Sequence, residues 1–234
     1  MRLSLIIPAY NEAGRIGATV RTVAEYLGRQ PYDSEVIVVI DGDTGGAAAE
    51  AHAAATGTNV RVLVNDTNRG KGYSVRRGFA EATGDRLVFI DADLSLPVDG
   101  MQTMMERFDA GADVVIASRQ APGARIIGAP PALRAVMSRV FNLVVQAVAL
   151  PGFTDTQCGF KGFTAPAARA IFARHRGDRF GFDVEALFLA RKLGFRIVEM
   201  PVTCVYHAAS SVNRVGDVVS MLADVLAVRW RHRG

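Results

Sequence analysis

Cysteine is almost missing from this chain: 234 residues hold two, Cys158 and Cys204, far apart, with no Cys-x-x-Cys spacing and no His cluster beside them. This excludes a disulfide framework and a cysteine-rich zinc module, and suits two buried thiols in a reducing compartment. Long hydrophobic runs are missing too. No stretch reaches the roughly 18 apolar residues that span a bilayer. The N-terminus passes directly into Leu3-Ser4-Leu5-Ile6-Ile7-Pro8, without the layout of an export signal. The chain is therefore expected to be soluble or to sit on a membrane surface. After the first apolar run stands Pro8-Ala9-Tyr10-Asn11-Glu12 rather than a Gly-x-Gly-x-x-Gly turn, and no Gly-rich loop ends in Lys-Ser or Lys-Thr. Those two absences remove the main support for an NAD enzyme and for a P-loop NTPase. Charge of one sign is also thin, since 27 basic and 23 acidic side chains leave a net charge of +4. An anionic partner fits that balance, but nucleic acid is not implied by it. The last absence is regional. Between Val114 and Thr154 there is no Asp or Glu, whereas Arg119, Arg125, Arg134 and Arg139 are present. Beside an apolar segment this suits an anion with a greasy tail; a buried helix with peripheral arginines is the plainer alternative.

What is present is organised as α/β. Half of the residues are hydrophobic, enough for one sizeable domain with an extension rather than for two. Residues 3–8, 35–40, 60–65, 86–90 and 113–118 are short, rich in Val, Ile and Leu, and read as buried strands. Helical patterns at 13–27, 46–55, 73–82 and 98–110 alternate with them, which predicts parallel pairing through right-handed crossovers. Further on come a Pro/Gly-containing loop over 119–131, an apolar helix over 132–150 with Arg139, Asn142 and Gln146 on one face, and a strand over 159–163. Helices near 165–173 and 183–192, a strand over 196–205 and a C-terminal amphipathic helix over 215–231 complete the pattern. One domain, 1–234, is expected, with a ligand-binding half at 1–118, a second half at 119–214 and the terminal helix at 215–234. Its last residues, Arg229-Trp230-Arg231-His232-Arg233, place an aromatic among cations. That suits the headgroup layer of an anionic membrane, with a solvated helix end as the alternative.

In open α/β sheets ligands gather at the carboxyl ends of the strands. There the sequence puts Tyr10 and Glu12, Asp41-Gly42-Asp43, and Asp91-Ala92-Asp93. An aromatic and a carboxylate suit stacking and hydrogen bonding to a base or ribose. Asp91 and Asp93 stand at i and i+2, so an extended backbone turns both to one side. Two such charges repel unless a cation lies between them, and hard oxygens select Mg²⁺ or Mn²⁺ bridging to a diphosphate; a solvated turn with two acids is the plainer alternative. Asn68-Arg69-Gly70-Lys71-Gly72 opens a helix with glycines and a cation, as phosphate binding requires; a helix-initiating turn with a surface Lys is the alternative.

Leu5-Ile6-Ile7-Pro8-Ala9-Tyr10-Asn11-Glu12, Asn68-Arg69-Gly70-Lys71-Gly72, Asp91-Ala92-Asp93-Leu94-Ser95 and Asp155-Thr156-Gln157-Cys158-Gly159-Phe160-Lys161 stand in this order along the chain. Together, and with Phe182-Asp183-Val184-Glu185, they resemble family 2 glycosyltransferases of the polyprenyl-phosphate sugar synthase branch, the glucosyl members ahead of the mannosyl ones. The resemblance implies a GT-A fold, a Rossmann-like, mostly parallel sheet flanked by helices. It also implies inverting transfer of a hexose from a nucleotide diphosphate sugar to a polyprenyl or dolichyl phosphate at the cytoplasmic face of a membrane. Under it Pro8, Tyr10, Glu12 and Asp41 would hold the nucleoside, with Lys71 and Ala92 also against the nucleotide sugar. Asp91 and Asp93 would hold the metal on the diphosphate. Ser118 and Arg119, with Arg134 and Arg139, would meet the acceptor phosphate. The chain departs from the family at Ile40 and Asp43, where an acid and a Ser are common, and at Ala209-Ser210-Ser211-Val212-Asn213, which lacks a frequent Lys.

UDP-glucose is the expected donor and GDP-mannose the alternative. Transfer to a non-lipid hydroxyl would need a dedicated base, for which Asp155 is the candidate. A nucleotidylyltransferase should carry a Gly-rich, basic loop after the first strand, which this chain lacks. A non-catalytic scaffold would not need the Asp91/Asp93 pair.

Overall fold

Side-chain alternation in the first strand sets the plan. In β1 (Arg2–Ala9), Leu3, Leu5 and Ile7 enter one hydrophobic cluster and Ile6 the other, because successive strand residues face opposite sides. Both faces therefore need cover. The computed structural model describes residues 1–43, 45–128, 132–179, 181–206 and 225–233, and no side chain at 132–136, 138 or 139. On one face lie α1 (Ile16–Gly28), α2 (Ala47–Ala55) and α4 (Gly100–Asp109), through residues such as Val20, Ala51 and Met104. On the other lie α3 (Lys71–Glu81), α5 (Ala132–Val148), α6 (Ala165–Phe172), α7 (Phe182–Lys192) and a last helix, α8, over 225–231. They contribute Phe79, Phe141, Ile171, Leu187 and Val228 respectively.

The other strands of the sheet are β2 (Asp33–Asp41), β3 (Val60–Asn65), β4 (Arg86–Ile90), β5 (Val114–Ser118), β7 (Phe160–Thr164) and β8 (Ile197–Pro201), with β6 (Arg125–Ile127) and β9 (Thr203–Val205) outside it. The order is β3-β2-β1-β4-β7-β5-β8. The order of strand addition reverses at β1: β2 and β3 build outward on one side and β4 on the other. Pairing of β1 with β2 and β4 is parallel, so the switch point lies where Tyr10–Glu12 and Asp91–Asp93 leave the sheet, the usual ligand crevice of such folds.

Two expectations are corrected. The fifth strand does not pair with the fourth: β7 enters between them, antiparallel to both. The chain returns along the carboxyl edge through residues 150–159, so β7 starts at that edge and has to run backward, Phe160 opposite Ile90 and Thr164 opposite Arg86. The strand expected over 196–205 is two, broken at Val202, with β9 pairing in parallel with β6 inside the segment expected to be loop. All three residues of β6 are exposed, and three residues are too few to show a period. Of the expected C-terminal helix, 215–224 lie outside the described residues. No described helix is long and apolar enough to cross a membrane.

Candidate active site

Asp41 ends β2 in register with Asn65 at the end of β3. Its carboxylate accepts from Asn65 Nδ2 (2.7 Å) and from the backbone N–H groups of Arg69 (2.8 Å) and Gly70 (2.7 Å). The side chain is buried and fastens the loop that opens α3. Asp43 accepts from Ala47 N–H at 2.9 Å and so caps α2. The two acids after β2 therefore shape the mouth, while Tyr10, 46 % exposed, stands open at it.

The turn before α3 owes its glycines to packing. Gly70 has φ +101°, and a Cβ there would lie 2.2 Å from Asp178 O; a Cβ on Gly72 would lie 2.4 Å from Gly177 O. Tyr73 N–H donates to Asp178 O (3.2 Å) and Arg76 pairs with Asp178 (2.6 Å). This close fit against 177–179 and Phe182 aims Lys71 inward, where Nζ meets Asp91 Oδ1 at 2.5 Å above the rings of Phe89 and Phe182. Burial by itself would lower the Lys71 pKa, but Asp91 and then Asp183 raise it above the ordinary value, and the ammonium keeps its proton.

Asp91 and Asp93 leave β4 at the switch point. Asp91 N–H donates to Gly159 O (3.0 Å), and a Cβ on Gly159 would lie 1.8 Å from Asp91 Oδ2. Glycine at 159 thus makes the space in which the carboxylate sits. Asp93 Oδ1 accepts from Ser95 N–H at 2.9 Å. Among the described residues no donor reaches the second oxygen of either acid. Glu12 faces the same place: burial lifts its carboxyl above the usual range, Arg15 opposes this, and Asp93 and Asp91 add to the rise. Its buried Oε2 has no hydrogen-bond donor and only the Arg15 Nε charge at 3.2 Å. Among the described residues no cluster of three or more His, Cys, Asp and Glu could cage a metal. Two carboxylates with free oxygens still fit Mg²⁺ or Mn²⁺, which usually complete their shells with water and substrate phosphate.

At the end of β5, Arg119 is gripped by Asp155: Nε to Oδ2 at 2.7 Å, Nη2 to Oδ1 at 2.9 Å, with the Arg119 N–H on Oδ2 at 3.1 Å. Asp155 is fully buried. Burial opposes its charge, yet Arg119 holds its carboxyl below the usual range. A carboxylate so engaged is a poor proton acceptor, which differs from the reading of Asp155 as a base. Ser118 Oγ is buried, shares a hydrogen bond with Thr154 Oγ1 (3.0 Å) and accepts from Ala121 N–H (3.1 Å). Glu199 Oε1 in turn receives Thr154 N–H (3.0 Å) and Oγ1–H (2.9 Å) and Asp155 N–H (3.2 Å). Asn142 donates to Thr154 O (3.2 Å), so the polar face of α5 helps to hold this loop. Arg134 and Arg139 lie on α5, but their side chains fall outside those described.

The glycosyl transferase family 2 model matches residues 4–172. The chain belongs to that family. A dolichyl-phosphate beta-glucosyltransferase of Dictyostelium discoideum is 30 % identical over 98 % of this chain and 74 % of its own length. Its namesake from Drosophila melanogaster is 35 % identical over 99 % and 76 %. In fold, the chain is similar to glucosyl-3-phosphoglycerate synthase from Mycobacterium tuberculosis, solved with Mn²⁺, UDP-glucose and phosphoglyceric acid. The TM-score is 0.69 at 20 % identity, covering 98 % of this chain and 79 % of that one. The GT-A architecture expected from the sequence is therefore the one observed.

Two buried residues that hold this site together, Lys161 and Glu199, have no role assigned from the sequence. Lys161, fully buried, donates to Asp183 Oδ1 (2.5 Å) and Cys158 O (2.6 Å) and so fixes the turn that carries Gly159. Glu199 was hidden within an apolar strand. A Lys inside an apolar run was the available signal for the first, and an isolated Glu in a strand for the second, since each needs a buried partner. Cys158 and Cys204 are both buried and free, and burial pushes both thiols up.

Proposed function

We propose that this glycosyltransferase moves a hexose, glucose ahead of mannose, from a nucleotide diphosphate sugar to a polyprenyl phosphate with inversion at the anomeric carbon. One observation carries the choice of acceptor: Asp155, the carboxylate that meets Arg119, has both of its oxygens engaged by that residue. A hydroxyl acceptor needs a free base. A phosphate monoester, with a second pKa of about 6, brings an oxygen that is already ionised. The relatives' names, the acid-free stretch 114–154 and the orientation of Arg119 support the same choice.

In this scheme Tyr10 and Glu12 receive the nucleoside, and Asp41 acts by fixing the Lys71 turn beside it. Asp91 and Asp93 would hold Mg²⁺ or Mn²⁺, which when bound neutralises charge on the departing nucleoside diphosphate. Lys71 holds Asp91 in place and contributes positive charge near the same phosphates. Arg119, preset by Asp155, keeps the acceptor phosphate in line with the anomeric carbon, so that positioning supplies much of the barrier reduction. Arg134 and Arg139 are assigned to the same phosphate. Helix α8 presents Leu226 and Trp230, 61 % and 70 % exposed, to a membrane surface, where the lipid acceptor resides. The division of the chain into a donor half at 1–118 and an acceptor half at 119–214 follows from these roles.

The test is incubation with Mn²⁺ or Mg²⁺ and a short polyprenyl phosphate, with UDP-glucose or GDP-mannose in separate reactions, and mass detection of the lipid-phosphate hexose. Product in one reaction establishes the transfer and the donor together. Metal-dependent donor binding without product would overturn the lipid acceptor and leave the donor site standing.

A further inference from the structure

Glu185 has no hydrogen bond or ion pair with Asp91, Asp93, Lys71 or Arg119, yet it is almost fully buried at the meeting of three segments. Its Oε1 receives His232 Nε2 at 2.6 Å and Arg176 N–H at 3.1 Å. Its Oε2 stands 2.7 Å from where a Cβ on Gly177 would be, and 4.0 Å from His175 Nε2, which is itself hydrogen-bonded to Phe182 O at 3.0 Å. His232 follows α8. It is held there by Lys192 Nζ on its carbonyl (2.5 Å) and by the Phe188 ring at 6.3 Å. One carboxylate therefore ties the end of the C-terminal helix to the segment 175–179.

That segment is the wall behind the donor site. Asp178 O and Gly177 O press on Gly70 and Gly72, and the turn between those glycines delivers Lys71 to Asp91. The contacts run without a gap from His232 through Glu185, Arg176–Gly177 and Gly70–Gly72 to Lys71 and Asp91. We infer that Glu185 and His232 are positioning residues that couple docking of the C-terminal helix to the donor site. With α8 seated, the wall is firm and Lys71 is in place. With α8 released, Glu185 loses its charge-assisted partner, the wall loosens and donor binding weakens. This inference rests on the assignment of Lys71 and Asp91 to the donor, and it adds to that site a dependence on a distant helix.

The experiment compares the full chain with His232→Ala, His232→Gln and Glu185→Ala. Hydrogen exchange is followed at the amides of Tyr73 and Arg176, and donor and acceptor KM are measured with UDP-glucose and Mn²⁺. His232→Ala should speed exchange at both amides and raise the donor KM about five- to tenfold, the usual scale of coupling between sites. The acceptor KM should hold, and His232→Gln, whose amide can still donate to Glu185, should restore both readouts. Glu185→Ala should match His232→Ala. Unchanged exchange at Tyr73 and Arg176 in His232→Ala overturns the coupling, whatever the donor does. Faster exchange with an unaltered donor KM overturns it as well. Failure of the wild type to bind a nucleotide sugar overturns the donor-site assignment, while the exchange data still decide whether His232 holds the wall.

Discussion

Replacing Gly159 by alanine adds a single methyl group where it does the most harm to the Asp91 carboxylate and little elsewhere. Gly159 does not have positive φ, so the backbone accepts alanine without strain. The new Cβ would begin 1.8 Å from Asp91 Oδ2 and 2.3 Å from its Cγ, whereas real contacts do not fall below 3.0 Å. The carboxylate must retreat by about 1.2 Å, the difference between those limits, and a displacement near 1 Å at a reacting centre can cost on the order of 100-fold in rate. The Asp91 side chain is 37 % exposed, so it can swing outward rather than unfold the sheet. We therefore expect kcat for hexose transfer to fall about 100-fold and Mn²⁺ to bind more weakly. The thermal midpoint should move by no more than about 2–4 °C, the equivalent of roughly 1 kcal/mol in a chain of this size. Initial rates over a metal titration, run beside a thermal melt, measure all three. A variant with near-normal kcat and metal affinity would refute the claim that Gly159 makes room for a working Asp91. A collapsed melting temperature would show that the methyl group acts on the fold instead.

Lys161→Met leaves Asp183 buried without its partner and should cost about 3–5 kcal/mol in urea unfolding, with most of that regained in Lys161→Met/Asp183→Leu; a single variant as stable as wild type would sink the assignment. For Glu35, burial would raise the carboxyl, but hydrogen bonds from Ser4 and Thr83 and the charge of Arg2 outweigh it and hold the folded value below 4.5. The ionised form therefore favours folding, a contribution complete above the unfolded value and lost as pH falls through the lower folded one. Between about pH 6 and pH 3 wild type should lose more stability than Glu35→Gln, and parallel denaturation curves would contradict this. Leu226→Ala/Trp230→Ala should weaken co-sedimentation with anionic vesicles about tenfold or more, as loss of two buried apolar side chains implies; undiminished binding would rule out α8 as the contact surface.

The sequence by itself determined the elements and the positions of their chemistry. Short runs rich in Val, Ile and Leu, bounded by polar residues or Gly, located β1 to β5 because such a run is a property of a few adjacent residues. Asp91 and Asp93 could be placed at the end of β4, but the backbone there is a turn closed by Leu94 N–H on Asp91 O rather than the extended strand expected, so strand alternation does not set their directions. The family, too, was legible from four short motifs in order. Only the tertiary structure decided that β7 enters between β4 and β5, and several features of the site follow from that one insertion. It sets Gly159 under Asp91, buries Lys161 against Asp183, and brings Asp155 to Arg119, 36 residues earlier in the chain. Asp155 looked like a candidate base as long as its partner was unknown; closed onto a guanidinium it positions a cation instead. Asp41 was likewise placed at the mouth by the sequence, and only the fold turned it toward the Lys71 loop. Local pattern follows from each residue's neighbours along the chain. A carboxylate's role depends on which charge the folded chain brings within about 3 Å, and in a low-dielectric interior that partner decides its chemistry.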